Sequence, residues 1–423
     1  MTNGAKHWDT AYERKAIALL TLGFGLVGLD RWIIAPLAPA MLADLRLTPA
    51  DINSLVAALG ITWGLAALFM GGLSDRLGRK KVLIPALVIF SLLSGFSGAA
   101  ASMTMLLLAR SCMGISEGAF CPTSFAATAE ASKPSRRGLN LGLQQSAFPL
   151  LGLGLGPILA TQLLQFMSWR YVFAIVAIPG LVLALLLAMV IREPVTIDAP
   201  GAAKAPRAPL SEIFRHRNVP LGMIGLLCAM CGIFVLSANT PIYLTQFLGL
   251  GMTQMGFVTS AIGLGGFVGQ WSLSGLSDLL GRRVIAIASF ALGALCLWLF
   301  IQAGPGNLPL LFALLFMAAA FSFGLLGLIT GPIAAEAAPI GLISTVAGII
   351  IGTGEIFGGG VAPFIAGGIA GRYGIQYTLY MALGGLLLGV IVSLFYRETA
   401  PGKATAVSDL DRLEKDLGGG VAG

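Results

Sequence analysis

Gly71-Gly72-Leu73-Ser74-Asp75-Arg76-Leu77-Gly78-Arg79-Lys80 stands between two long apolar runs, and 203 positions later Ser274-Gly275-Leu276-Ser277-Asp278-Leu279-Leu280-Gly281-Arg282-Arg283 does the same. Each stretch reads as a tight turn. Glycine permits close backbone approach, the Asp can cap the N-terminus of the next helix, and the basic pair suits an anionic lipid surface. One copy would be an ordinary basic loop. Two copies in matching places mark a chain built from two related halves.

The flanking sequence fixes the solvent. The chain has 423 residues, 57% of them hydrophobic and 11% charged, with a mean hydropathy of +0.88. An average soluble domain carries about 25% charged residues, so this chain lacks the polar residues that a water-facing surface needs. It reads as an integral membrane protein. The same numbers exclude disordered, collagenous and disulfide-scaffold classes. The apolar stretches are continuous and not alternating, which excludes a transmembrane β-barrel.

Runs of about 20 apolar residues suffice to cross a bilayer as helix. Twelve are expected: 16–42, 52–73, 81–101, 104–131, 140–165, 168–191, 219–247, 253–276, 283–302, 308–336, 341–370 and 376–396. The predicted fold class is therefore an all-α membrane protein of two pseudo-symmetric six-helix halves. Residues 1–15 form an N-terminal segment, 16–191 the first half, 192–218 an Ala- and Pro-rich linker, 219–396 the second half and 397–423 a solvated tail. Within the linker, 210–215 reads as a short interfacial helix.

With both termini inside, cytoplasmic segments collect 21 Lys and Arg residues. The outer loops hold only Arg46, Arg170 and Arg372, and Arg31 and Arg110 lie within spans. This asymmetry follows the positive-inside rule and puts both termini in the cytoplasm. It also explains the net charge of +7 without nucleic acid as a partner. The five cysteines all lie in apolar stretches, and the Cys228-x-x-Cys231 pair sits inside a helix, where packing explains it. Two histidines build no zinc constellation, and no P-loop is present. No enzyme activity, metal or cofactor is expected.

Charge inside the membrane carries the functional signal. Asp30 and Arg31 fall in span one, Arg110 and Glu117 in span four. Each costs roughly 2.5–3.5 kcal/mol at a span centre. Four such costs rival the stability of a whole domain, so these groups are expected to pair or to line water. Arg110 and Glu117 are seven residues apart and share one helix face. A static salt-bridge network is the alternative, but such networks rarely repay desolvation. The second half offers neutral groups instead: Asn239, Tyr243 and Gln246 in span seven, Gln270 in span eight. One half is thus expected to bind charge and the other to make neutral polar contacts.

Glu355, within Gly354-Glu355-Ile356-Phe357-Gly358-Gly359-Gly360, is a fifth buried carboxyl group. It reads as a neutral, hydrogen-bonded Glu in a flexible gating helix, with a second proton site as the alternative. Glu130 and Glu336, at the inner ends of spans four and ten, are repeat mates placed to meet the two basic loops or to be solvated at their helix ends. Gly152-x-x-x-Gly156-Pro157 in span five reads as close packing with a bend.

The paired loops resemble those of the major facilitator superfamily, whose hallmark is G-x-x-x-D-R-x-G-R-K after span two and a weaker copy after span eight. Here the first copy, Gly71 to Lys80, is complete. In the second, Ser274 replaces the leading Gly and Leu279 the Arg. The Asp-Arg pair of span one, with Arg110-x-x-x-Gly114-x-x-Glu117-Gly118 and Pro122 in span four, resembles the anion:cation symporters. That resemblance implies proton coupling through Asp30 and Glu117, with Arg31 and Arg110 holding the substrate anion or coupling it. It also implies gating by Asp75, Arg76, Arg79, Glu130, Asp278 and Arg282, with Gly156, Pro157 and Glu355 as further hinge or gate positions. Sugar-acid members usually place an aromatic two residues before the Asp, where this chain has Gly28.

The expected function is proton-coupled uptake of a small organic anion, such as a sugar acid, by a monomer in a bacterial inner membrane. The expected partners are the anion, protons as the coupling ion, and the lipid bilayer. Two alternatives share parts of the pattern. The span-five glycines also resemble a motif of proton-driven drug exporters, and spinster-like lysolipid transporters share the Asp-Arg and Arg…Glu spans.

Overall fold

A computed structural model describes residues 9–133, 136–192, 213–338 and 343–400. The tail from 401, most of the 192–218 linker with residues 210–212 of its expected interfacial helix, and the side chains of Asp75 and Arg76 lie outside the described set. The described residues are helical and contain no strand.

In chain order the helices are α1 (Thr10–Leu45), α2 (Pro49–Leu77), α3 (Arg79–Gly98), α4 (Met103–Ala131), α5 (Leu139–Leu163), α6 (Trp169–Val190), α7 (Asn218–Phe247), α8 (Met252–Leu280), α9 (Arg282–Gln302), α10 (Leu308–Ala337), α11 (Val346–Tyr373) and α12 (Gln376–Ser393). Ten of them are long and apolar enough to cross a membrane. The exceptions, α4 and α8, have 29 residues each. Their apolar runs are diluted by Ser, Thr, Gly and the charges of α4, as suits helices that face an interior more than lipid.

Local chemistry starts these helices where the sequence permits. Thr48 and Asp51 exchange capping bonds at the start of α2, with Pro49 in its first turn. The Ser102 hydroxyl accepts the Met105 N–H at the start of α4, and the Asn307 side chain accepts that of Leu310 at α10. At α1, Asp9 accepts the Tyr12 N–H at 2.9 Å and meets the Arg192 guanidinium at 2.9 Å. The backbone hydrogen bond first, and then Arg192, hold the Asp9 carboxyl below its ordinary range.

The two basic turns are alike in detail. Gly78 and Gly281 take φ values of 101° and 103°, backbone that disfavours any side chain. Arg79 donates to the Ser74 hydroxyl at 2.6 Å and pairs with Glu130 at 2.8 Å. Arg282 donates to Ser277 at 2.5 Å and pairs with Glu336 at 2.9 Å and with Asp278 at 2.6 Å. Of the two readings of Glu130 and Glu336, pairing is the one observed. Each pair clamps a turn to the helix two further along, α4 or α10, within its own set of helices.

The segment after α12 departs from the solvated tail expected from residue 397. Glu398 accepts the backbone N–H groups of Arg282 at 2.8 Å and Arg283 at 3.2 Å, capping α9. Asn218 and the Arg397 backbone exchange two bonds, and Thr399 donates to Glu336 at 2.5 Å. Residues 397–400 therefore strap together the basic ends of α7, α9 and α10. The physical reason is the set of helix-end amides that need acceptors.

Glycine governs how the helices of 10–190 meet those of 218–393. Gly154 of α5 and Gly263 of α8 touch backbone to backbone, and a Cβ at Gly60 of α2 would lie 2.5 Å from the Gly359 carbonyl oxygen of α11. At the end of the bundle away from the basic turns, Asn53 of α2 and Asn239 of α7 exchange two side-chain hydrogen bonds, 2.8 and 3.0 Å long. That end is closed.

Candidate functional site

Four helices carry short π-helical turns: residues 150–155 in α5, 243–247 in α7, 329–333 in α10 and 354–361 in α11. Such turns free backbone groups and re-aim side chains, and they concentrate at functional sites. The turn in α11 carries Glu355 inward to α1. There its carboxylate accepts Arg31 Nη2 at 2.9 Å, both side chains being nearly sealed from solvent. The hydrogen bond expected of Glu355 is present, and its partner is a guanidinium. The expected division into a charged and a neutral half is corrected, because the second half supplies an acid to the charged cluster.

Arg31 is held from both faces. Its guanidinium carbon lies 4.6 Å from the Phe234 ring centre and 5.7 Å from that of Trp63. Its Nε has no hydrogen-bond partner. Trp63 reaches this position because Gly114 and Gly118 bring the α4 backbone against Leu59, Thr62 and Trp63 of α2. The glycines of the span-four pattern therefore serve packing, and that packing aligns the α4 charges with α1.

Arg110 does something other than the pairing with acids expected of it. It is fully buried, and its Nη1 donates to the backbone carbonyls of Asp30 at 3.1 Å and Arg31 at 3.0 Å. The helix of α1 breaks at Ile33, which leaves these last-turn carbonyls in need of donors. A guanidinium there satisfies them and complements the helix C-terminus. Arg110 is thus a brace behind Arg31.

Asp30 and Glu117 are buried, and none of their four carboxyl oxygens makes a hydrogen bond. The Ser94 hydroxyl of α3 lies beside Asp30 without completing one. Arg31, Asp30, Arg110 and Glu355 all lie within electrostatic reach of Glu117. Three acids and two arginines thus share one dry region where α1, α4 and α11 meet. A carboxyl group without donors in such a place is stable only with a proton or a nearby cation.

This cluster borders a cavity on the basic side of the bundle. Its volume is about 680 Å³, the open solvent at its mouth included. The lining comes from α1, α2, α4, α5, α7, α8, α10 and α11 and from no other helix. Arg31 and Glu355 form its polar floor, with Gln145, Gln270 and Thr330 higher up. Most of the remaining wall is aromatic.

Of the neutral groups expected to meet substrate, Gln270 lines the cavity and its Oε1 has no partner. Asn239 is occupied by Asn53. Tyr243 is buried and stacked on Phe247 at 5.1 Å, and Gln246 is exposed. These three lie outside the cavity wall.

Gly152 of the span-five motif packs on Gly28 of α1, and a Cβ at Gly156 would lie 3.3 Å from the Leu29 side chain. The Pro157 carbonyl would lie 2.9 Å from a Cβ at Gly256 of α8. Gly28 also abuts the Phe148 carbonyl so closely that no side chain fits there. The aromatic of sugar-acid members is thus excluded on α1, and Phe148 of α5 presents its ring to the cavity instead.

Sequence reasoning missed Trp63, Phe234, Phe148 and Asn53. Only Asn53 carried a signal, a carboxamide inside an apolar run.

Comparison with known proteins agrees with this architecture. The family model described as Major Facilitator Superfamily matches residues 20–356 and 248–417. A probable 4-methylmuconolactone transporter of Cupriavidus pinatubonensis (strain JMP 134 / LMG 1197) is 28% identical over 358 residues, 82% of each chain. A sialic acid transporter of Escherichia coli (strain K12) is 27% identical over 419 residues, 94% of this chain and 96% of that one. Among solved structures, a bacterial homolog of the human lysosomal transporter Spinster, inward-facing and occupied, superposes with a TM-score of 0.68. It is 17% identical and covers 92% of this chain and 97% of its own, a likeness of fold alone.

Proposed function

This chain belongs to the Major Facilitator Superfamily, and from that premise we propose that it takes up a small organic carboxylate together with protons by alternating access. The twelve helices form two pseudo-symmetric six-helix halves joined by residues 192–218, with both termini and the basic turns in the cytoplasm. The cavity then faces inward, and the Asn53–Asn239 contact is the closed outer gate. The relatives named for organic acids support the substrate class.

One observation carries the reading: three carboxyl groups and two guanidinium groups share the buried cluster, and one acid, Glu355, already occupies Arg31. Fully ionised, the cluster holds one excess negative charge, which one proton neutralises. A substrate carboxylate that displaces Glu355 from Arg31 adds a second, and a second proton restores balance. Burying an uncompensated charge is costly, so anion and proton move together. Asp30 and Glu117 are the proton carriers, because a carboxyl group can release a proton and a guanidinium cannot.

The test is direction and coupling in proteoliposomes. An imposed pH gradient, acid outside, is expected to drive accumulation of a labelled carboxylate above its external concentration. Proton-driven extrusion of the same compound would assign the chain to export.

A further inference from the structure

The cavity wall is more informative about substrate than its charges are. Two aromatic groups line it. Phe24, Phe125 and Phe148 form one, with ring centres 4.9 and 5.3 Å apart. Trp63, Phe234 and Trp32 form the other, Trp32 and Phe234 being 5.2 Å apart. The Arg31 guanidinium lies against the second group, with its plane fixed by Phe234.

The neutral polar supply is thin. Gln145 and Gln270 offer carboxamides and Trp32 and Trp63 unpartnered indole N–H groups, while the Thr330 hydroxyl already donates to the Leu326 carbonyl at 2.8 Å. A polyhydroxylated sugar acid brings several hydroxyl groups, and each one desolvated without a partner costs about 1–3 kcal/mol. This wall, mostly aromatic and aliphatic, offers few partners for so many. A flat unsaturated or aromatic ring needs no such partners. It gains offset-stacked or edge-to-face contact with the rings on either side. The Gln270 amide remains for one ring substituent.

We infer that the substrate is a planar, largely apolar ring carboxylate, and that this site discriminates against polyhydroxylated sugar acids. The ring lies between the Phe24–Phe148 wall and the Trp63–Phe234 wall. Its carboxylate reaches Arg31 in place of Glu355. This rests on the carboxylate reading above and narrows it.

Benzoate, glucuronate and benzyl alcohol are suitable probes of the purified full-length protein, read by thermal shift and by displacement of labelled benzoate. Benzoate is expected to bind at least tenfold more tightly than glucuronate, and Phe148→Leu and Phe24→Leu to remove most of that preference. Glucuronate binding as tightly as benzoate overturns this inference and leaves carboxylate transport standing. Binding of benzyl alcohol equal to benzoate, or no binding of either acid, removes the carboxylate reading and the inference with it. The comparison on the unmutated protein decides the matter even where a Phe variant fails to fold.

Discussion

Asn53 of α2 and Asn239 of α7, both fully buried, exchange two amide hydrogen bonds across the closed end of the bundle, and each gives its second N–H to a carbonyl of its own helix, Pro49 or Val235. A neutral amide pair is a modest latch. Each of its bonds is worth about 0.5–1.5 kcal/mol net, because water replaces it on opening. Asn53→Ala leaves the Asn239 amide buried and short of partners, at a cost near 1–3 kcal/mol to the closed state alone. A cysteine placed at Ala50 is expected to be alkylated several-fold to tenfold faster in that background. Unchanged labelling with reduced thermal stability would assign the pair to packing.

Glu117→Gln keeps the shape of the side chain and removes its ability to exchange a proton. Accumulation driven by a pH gradient is expected to disappear, while counterflow exchange of labelled for unlabelled substrate persists. Full gradient-driven accumulation in this variant would dismiss Glu117 as a proton carrier.

On the proposed exchange at Arg31, which Glu355 occupies, Glu355→Gln is expected to raise equilibrium affinity for the carboxylate several-fold while slowing turnover. Arg31→Lys retains charge but loses the planar fork, and its affinity should fall at least tenfold. Arg110→Lys loses bonds to the Asp30 and Arg31 carbonyls, so a fall in melting temperature should accompany any loss of binding. Isothermal titration and thermal denaturation of the three variants separate these outcomes. Weaker binding in Glu355→Gln would end the competition model.

Gly263→Ala forces a methyl group into the Gly154 backbone. Overpacking of this kind costs about 1–3 kcal/mol, and only while α5 and α8 are in contact. Transport is expected to fall at least tenfold with normal expression and monodispersity. Gly368→Ala, where nothing lies within 4 Å, provides the matched control.

Glu398→Ala withdraws the acceptor from the first two amides of α9. A lost cap costs about 1 kcal/mol, read as a lower midpoint of thermal unfolding. An unchanged midpoint would mean that the strap contributes nothing to stability.

The intramembrane charges and the repeated turns were legible because both are anomalies: a charge in an apolar run is costly, and a duplicated motif is improbable. Their partners were not legible. Arg31 and Glu355 are 324 positions apart, and only the docking of distant helices brings them together. Asn239 announced itself as polar, but nothing local revealed that Asn53 would use up its amide. Arg110 was expected to meet acids, whereas the break at Ile33 created backbone acceptors closer at hand. Trp63, Phe234 and Phe148 gave no sign, since an aromatic facing a cavity and one facing lipid look alike in an apolar stretch. The strap at 397–400 read as solvated because its residues are polar, yet polarity is what the uncapped amides of α9 require.

That strap sets an order on biosynthesis. Arg282 and Glu336 emerge well before Glu398 and Thr399, so α9 and α10 enter the membrane with their basic ends unfinished. They stay so until α12 has been translated and threaded. A nascent chain stalled after Ser393 would hold α1 to α12 and still leave the first amides of α9 without the Glu398 carboxylate that accepts them.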